Sequence, residues 1–161
     1  RVQAEDLVGS VRLVTSNGGI VAEDIDGDLY AESSNGPLEV RDVSGRCELH
    51  TSNGRVRVHE TQGNLRAVTS NGRIDAGASP PSDGEVILRT SNGSIDATLP
   101  IDMAGDLRVC TSNGRTRVHC GEVPVQLRQQ SRTRVEATPT GGGPGCVEVT
   151  TSNGSVTVRF R

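Results

Sequence analysis

The apolar residues of this chain alternate with polar ones in short runs, and the runs come in pairs around a fixed tetrapeptide. Val11 and Leu13, Leu29 and Ala31, Cys47 and Leu49, Leu65 and Ala67, Val86 and Leu88, Leu107 and Val109, and Val147 and Val149 precede it. Ile20 and Ala22, Leu38 and Val40, Val56 and Val58, Ile74 and Ala76, Ile95 and Ala97, Thr116 and Val118, and Val156 and Val158 follow it. A period of two predicts strands with one buried face. The tetrapeptide is Thr/Ser-Ser-Asn-Gly and begins at Thr15, Ser33, Thr51, Thr69, Thr90, Thr111 and Thr151. The alternation slips by one at its Asn-Gly, where glycine permits positive φ and asparagine tolerates it, so a corner is predicted there. A second corner recurs at Gly27, Gly45, Gly63, Gly84 and Gly105.

The tetrapeptides are spaced by 18, 18, 18, 21, 21 and 40 residues. The long last step holds a degenerate copy, since Arg132-Thr133-Arg134-Val135 repeats Arg115-Thr116-Arg117-Val118 with Arg128-Gln129-Gln130-Ser131 in place of the tetrapeptide. Asn-Gly between alternating runs normally signals a hairpin. An antiparallel meander, however, has no reason to repeat both strands and the corner at one spacing. A coil that climbs one strand spacing per turn does, stacking Thr on Thr and Asn on Asn at roughly 4.8 Å. The inserts at Pro80-Pro81-Ser82 and Pro100-Ile101-Asp102 then fall at one corner, as solenoid loops do. A left-handed hexapeptide helix fails, because six residues from Leu29 and Leu65 stand Asn35 and Asn71. Parallel crossovers favour the right hand. The expectation is an all-β, right-handed parallel β-helix (a β-solenoid) of about eight coils of 18–21 residues, one domain over residues 1–161, with no evident caps.

Composition agrees with a narrow core. Val, Leu, Ile and Phe make up 37 of 161 residues, with one Phe, one Tyr, one Met and no Trp. That is near the limit for a folded chain, so the core must be built from small β-branched side chains in a repeat. No apolar run approaches the ~18 residues of a membrane span. The net charge of −3 lacks the excess of a duplex-binding domain. All basic residues are Arg, which removes Lys-based phosphate sites and Schiff-base chemistry. The chain begins at Arg1, as a processed or excised piece would, and a removed secretory signal is one way to that start.

The T-S-N-G blocks followed by x-[Ile/Val]-x-[Val/Ala] resemble the bacterial adhesin-like β-strand-repeat family, a large group of unknown function with a right-handed β-helix fold. The resemblance covers Leu7 to Arg159, apart from the coil around Arg128–Ser131. It implies a bacterial, envelope-associated or extracellular protein. It carries over no catalytic residue and no cofactor.

The row Asn17, Asn35, Asn53, Asn71, Asn92, Asn113 and Asn153 reads as a structural ladder of stacked amides, with a ligand groove as the functional counterpart. The neighbouring Thr/Ser row should be half-buried, and the mixed outward residues do not form the flat Thr ranks of an ice-binding face. Asp24-x-Asp26-Gly27-Asp28 has the look of a calcium loop but lacks the loop length and terminal Glu of an EF-hand. His59 and His119 hold equivalent positions three coils apart, roughly 14 Å, too far to share a metal. Cys47 falls on the inward parity as a core thiol, while Cys110, Cys120 and Cys146 leave the ladder. Four cysteines allow three full pairings and the spacing does not choose; Cys110 with Cys146 is the candidate disulfide. Arg55, Arg57, Arg73, Arg115, Arg117, Arg132 and Arg134 point outward, either as a solvated face that discourages sheet stacking or as a site for acidic polysaccharide or lipid headgroups. Acidic residues spread one per coil, with no long loops around them, do not make the carboxylate groove of a polysaccharide-cleaving enzyme.

Solenoid ends expose unpaired strand edges. The final run Ser155–Phe160 reaches the C-terminus, with Val156, Val158 and the single Phe160 on the inward parity. These residues are the candidate end-to-end interface. The sequence therefore predicts a non-enzymatic structural or adhesin-like protein of the bacterial envelope or exterior, partnered by itself in a head-to-tail filament. The alternative is a monomeric binding module for polysaccharide or another acidic ligand, and a third reading is a polysaccharide-active enzyme.

Overall fold

The computed structural model describes residues 1–102, 105–121, 125–139 and 143–161. The alternating runs form strands in chain order: β1 (Val2–Val8), β2 (Val11–Thr15), β3 (Ile20–Asp26), β4 (Leu29–Ser33), β5 (Leu38–Val43), β6 (Cys47–Thr51), β7 (Val56–Thr61), β8 (Leu65–Asn71) and β9 (Ile74–Ala78). They continue as β10 (Glu85–Asn92), β11 (Ile95–Leu99), β12 (Asp106–Asn113), β13 (Thr116–His119), β14 (Val125–Gln130), β15 (Arg134–Pro139), β16 (Cys146–Asn153) and β17 (Val156–Phe160). The strands sort into two sheets. The first runs β1-β3-β5-β7-β9-β11-β17-β13 and the second β2-β4-β6-β8-β10-β16-β12-β15-β14. Every pairing is parallel except those of β15 with β12 and β14. The protein is a parallel β-solenoid of about eight coils.

Register stacks like on like. Ile20 pairs with Val2 and Leu38, Val56 with Leu38 and Ile74, and Ile95 with Ile74 and Val156. Facing them across the core, Leu29, Cys47, Leu65, Val86 and Val147 form the matching row of the second sheet. Apart from the half-buried Val2, these side chains are essentially solvent-free. One continuous apolar cluster fills the rod, without the bulk of Trp or Tyr.

The tetrapeptide builds the corner. Its Thr or Ser hydroxyl donates to a Gly carbonyl of the coil before: Ser33 to Gly18, Thr51 to Gly36, Thr69 to Gly54, Thr90 to Gly72, Thr151 to Gly93 and Thr111 to Gly154, at 2.9–3.3 Å. These six side chains are buried rather than half-buried, and Thr15 at the start of the row is half-buried. The glycines stack so closely that a Cβ on Gly72 would lie 1.9 Å from the carbonyl oxygen of Gly54. A second register feature has no counterpart in the expectations. Asp6, Asp24, Asp42 and Glu60 occupy one position of successive coils with φ of 50–54°, the left-handed conformation that Asp tolerates better than most residues. It puts a one-residue kink in four stacked strands, and the signal was an acidic residue every 18 positions.

Two expectations about the C-terminal third are corrected. The last coil does not end the rod. β16 lies between β10 and β12, and β17 lies between β11 and β13. Val156 and Val158 are fully buried and Phe160 nearly so, so they form no open-end interface. In this position both edges of the coil pair, whereas an outermost coil would leave one edge row of N–H and C=O groups open.

The degenerate copy at Arg128–Val135 is not a coil. β14 and β15 form an antiparallel hairpin, with a register shift between Leu127 and Gln129, and the hairpin extends the second sheet beyond β12. The reason lies at Ser131, which takes the tetrapeptide's Gly position. A Cβ at that position of a coil meets the carbonyl below at about 2 Å, as at Gly36 and Gly54. The hairpin also covers one edge that was expected to be bare.

Candidate functional site: the charged outer face of the first sheet

Parallel register turns the outward positions of the first sheet into rows. One row reads Gln3, Val21, Glu39, Arg57, Asp75, Asp96, Thr157 and Arg117. Asp75 and Asp96 are thus direct neighbours, a like-charge pairing that destabilises a sheet unless a cation intervenes. Arg73 intervenes. Its Nε donates to Asp75 Oδ1 at 2.7 Å and its second arm to Asp96 Oδ2. Arg55 Nε lies 3.9 Å from Asp75, and Arg159 lies 3.8 Å from Asp96. Hydrogen bonding and charge from Asp75, then the charge of Asp96, push the Arg73 guanidinium further up. The carboxylates that the sequence scattered one per coil are therefore brought together, but clamped in an ion network.

Beside this network lies a groove of about 570 Å³, bordered by His59, Asp75, Thr98, Pro100, Arg159 and Arg161. Gly77 is among its lining residues, and a Cβ there would meet no atom closer than 3.7 Å.

The guanidiniums divide into two groups. Arg41, Arg55, Arg66, Arg73, Arg89, Arg108, Arg128, Arg134 and Arg159 each have a carboxylate within 4.0 Å. The Arg134 contact holds the Glu136 carboxyl below its usual range. Arg1, Arg12, Arg46, Arg57, Arg115, Arg117, Arg132 and Arg161 have no such partner among the described residues, and three of these, Arg115, Arg117 and Arg132, are neighbours. They sit together at the β13 end, because Thr116 N–H donates to the Arg132 carbonyl at 2.9 Å. Arg117 is the last member of the outward row, next to Thr157.

The remaining candidates resolve as follows. The asparagines form a continuous ladder, each Nδ2 donating to the next Oδ1 at 2.8–3.0 Å in the order Asn113, Asn153, Asn92, Asn71, Asn53, Asn35, Asn17. In the acidic corner, Asp26 accepts from the Ser44 hydroxyl and Asp28 from the Arg46 N–H, so these two carboxylates fasten one coil to the next. His50 meets Glu48 at 2.9 Å. His59 and His119 are separated by four strand spacings rather than three, because β17 is interposed, which makes roughly 19 Å. Cys47 is a buried thiol whose pKa burial pushes up to about 12. Cys110 and Cys146 do not pair; all four cysteines are free. Although β12 and β16 are adjacent, Cys110 faces Thr150 and Cys146 faces Asp106. Four residues along a strand is about 13 Å, beyond disulfide reach.

No family model, no curated protein and no solved structure matches this chain. What stands without them is a repetitive parallel β-structure bound by asparagine ladders.

Proposed function

We propose that this protein is a non-enzymatic, adhesin-like β-solenoid of the bacterial envelope or exterior, which binds an acidic polymer through Arg115, Arg117 and Arg132. The observation that carries the reading is the grouping of these three at the β13 end, each without a carboxylate partner among the described residues, whereas Arg57, also without an ion pair, stands between Glu39 and Asp75 in the outward row. Unneutralised guanidiniums on a rigid platform are the groups that carboxylate, sulfate or phosphate substituents engage by bidentate hydrogen bonds. Arg117 stands in the parallel sheet, and Arg115 from the bend before β13 and Arg132 from the turn of the β14–β15 hairpin flank it. The sequence resemblance to adhesin-like repeats supports the same class and the same location. The ion clamp on Asp75 and Asp96 speaks for binding rather than hydrolysis, since both carboxylates are already committed to Arg73. Filament growth through Phe160 loses its support with that residue inside the sheet.

The test is binding to polygalacturonate and to a sulfated polysaccharide across a salt series. Arg115→Ser/Arg117→Ser/Arg132→Ser should remove binding and flatten its salt dependence, while Arg66→Ser/Arg89→Ser on the other sheet should leave it unchanged. Equal binding by the two variants would sink the proposal, as would no binding by the native protein.

A further inference from the structure

The coil formed by β16 and β17 occupies a slot whose walls are other parts of the same chain. β10 and β11 form one wall, β12 and β13 the other. Its fit uses nothing peculiar to itself. Thr151 pairs with Thr90 on one side and Thr111 on the other, and Val156 with Ile95 and Thr116. The number of residues between β15 and β16 exceeds what the separation of these strands requires. β15 ends against the start of β12, where Ala137 faces Leu107, and β16 begins beside Asp106 on the other side of β12. The crossing is about two strand spacings, roughly 10 Å. The segment Thr140-Gly141-Gly142-Gly143-Pro144-Gly145 can span roughly 20 Å when extended.

An element held in its slot by pairing with segments distant in sequence can be supplied to that slot by a second copy of the chain. We infer that residues 146–160 are an exchangeable coil, and that the slot between β10–β11 and β12–β13 accepts this coil from a second copy of the chain. The exchange makes no new contact type: the walls, the register and the asparagine bonds are those of the closed monomer. Its extent is then set by protein concentration against the effective concentration of the tethered coil. The inference is independent of polysaccharide binding, since Arg115, Arg117 and Arg132 lie outside the exchanged segment.

The direct facing of Cys110 and Thr150 supplies the test, because cross-strand Cα spacing there falls in the disulfide range. One chain carries Cys120→Ser and Cys146→Ser and keeps Cys110. A second also carries Cys110→Ser and Thr150→Cys. Only a coil of the second chain seated in the slot of the first brings the two thiols together. Chains unfolded together, refolded and oxidised should give a disulfide-linked heterodimer, and at low yield tenfold dilution should reduce that yield about tenfold relative to monomer, as a bimolecular event requires. A single chain with both thiols should crosslink internally at every dilution and sets the scale. Deleting Gly141–Gly143 from the native chain should favour exchange, seen as a larger dimer fraction by analytical ultracentrifugation. Heterodimer no greater than from chains folded separately and then mixed, together with a folded, monomeric deletion variant, would overturn the inference.

Discussion

The side-chain amide of Asn153 donates to Asn92 at 2.9 Å across 61 residues of chain, while Asn113 donates to Asn153 at the same distance. The ladder is thus continuous in space and discontinuous in sequence. Asn153 makes two of its bonds, and Asn17 at the end of the row makes one. With each bond contributing about 1 kcal/mol, Asn153→Ala should lower unfolding free energy by about 2 kcal/mol and Asn17→Ala by about half as much. Chemical denaturation of the two variants checks the ratio; equal losses would mean that the ladder is ornamental to stability.

Thr61 stacks between Val43 and Ala78 on the inward side. It is fully buried, and its hydroxyl has no hydrogen-bond partner among the described residues. A buried unpaired hydroxyl costs about 1–3 kcal/mol. Thr61→Val would place Val beside Val43 and remove that penalty, so it should raise stability by about 1 kcal/mol. A lower denaturation midpoint would show that the hydroxyl is satisfied in solution.

Two glycines should respond oppositely to one methyl group. Gly72→Ala would drive a Cβ to 1.9 Å from the Gly54 carbonyl oxygen, backbone against backbone. Relief requires separating two coils, and a loss of at least about 4 kcal/mol is expected. Gly77→Ala meets nothing closer than 3.7 Å and removes a flexible residue from a strand, so it should be neutral or mildly stabilising. Thermal melts of both variants distinguish these outcomes.

Burial raises the Cys47 thiol from 9.0 to about 12. The folded state therefore holds this proton in a range where the unfolded state releases it. Its contribution is complete below pH 9 and is lost as pH rises from 9 towards 12, on the order of 4 kcal/mol over the window. Cys47→Ala should lack this component of the alkaline decline. At pH 8 a thiol reagent should label Cys110, Cys120 and Cys146 in the native protein and reach Cys47 only in denaturant; rapid native labelling of Cys47 would show that its coil opens readily.

The fold was legible because the period-two pattern and the tetrapeptide specify which residues share a level and which face is buried. Leu29 over Cys47 over Leu65 follows from spacing alone. What spacing cannot specify is the order of the levels. A coil ending in Thr151-Ser-Asn-Gly fits beside any other, so nothing local tells Val156 to lie between Ile95 and Thr116. The hairpin was misread for a different reason: Arg132–Val135 repeats the strand pattern of a coil, and the departure that mattered was the missing Gly at Ser131. The outer-face rows were legible as directions but not as pairs. Only register sets Asp75 beside Asp96, and only the corner geometry brings Arg73 between them.

The interposed coil also bears on how the protein is made. A ribosome releases residues 106–119 before residues 146–160, yet the later segment lies between the earlier one and β10–β11. The first coils can be laid down one on another as they emerge. The final two levels cannot, because β12 and β13 must either wait apart from β10 and β11 or pair with them and let go. Synthesis therefore lays down the coils as far as β11 in sequence and inserts the coil of β16 and β17 out of sequence. One step of its assembly waits on residues 146–160, and pausing translation before they emerge would lengthen the time for which their place between β11 and β13 stands empty.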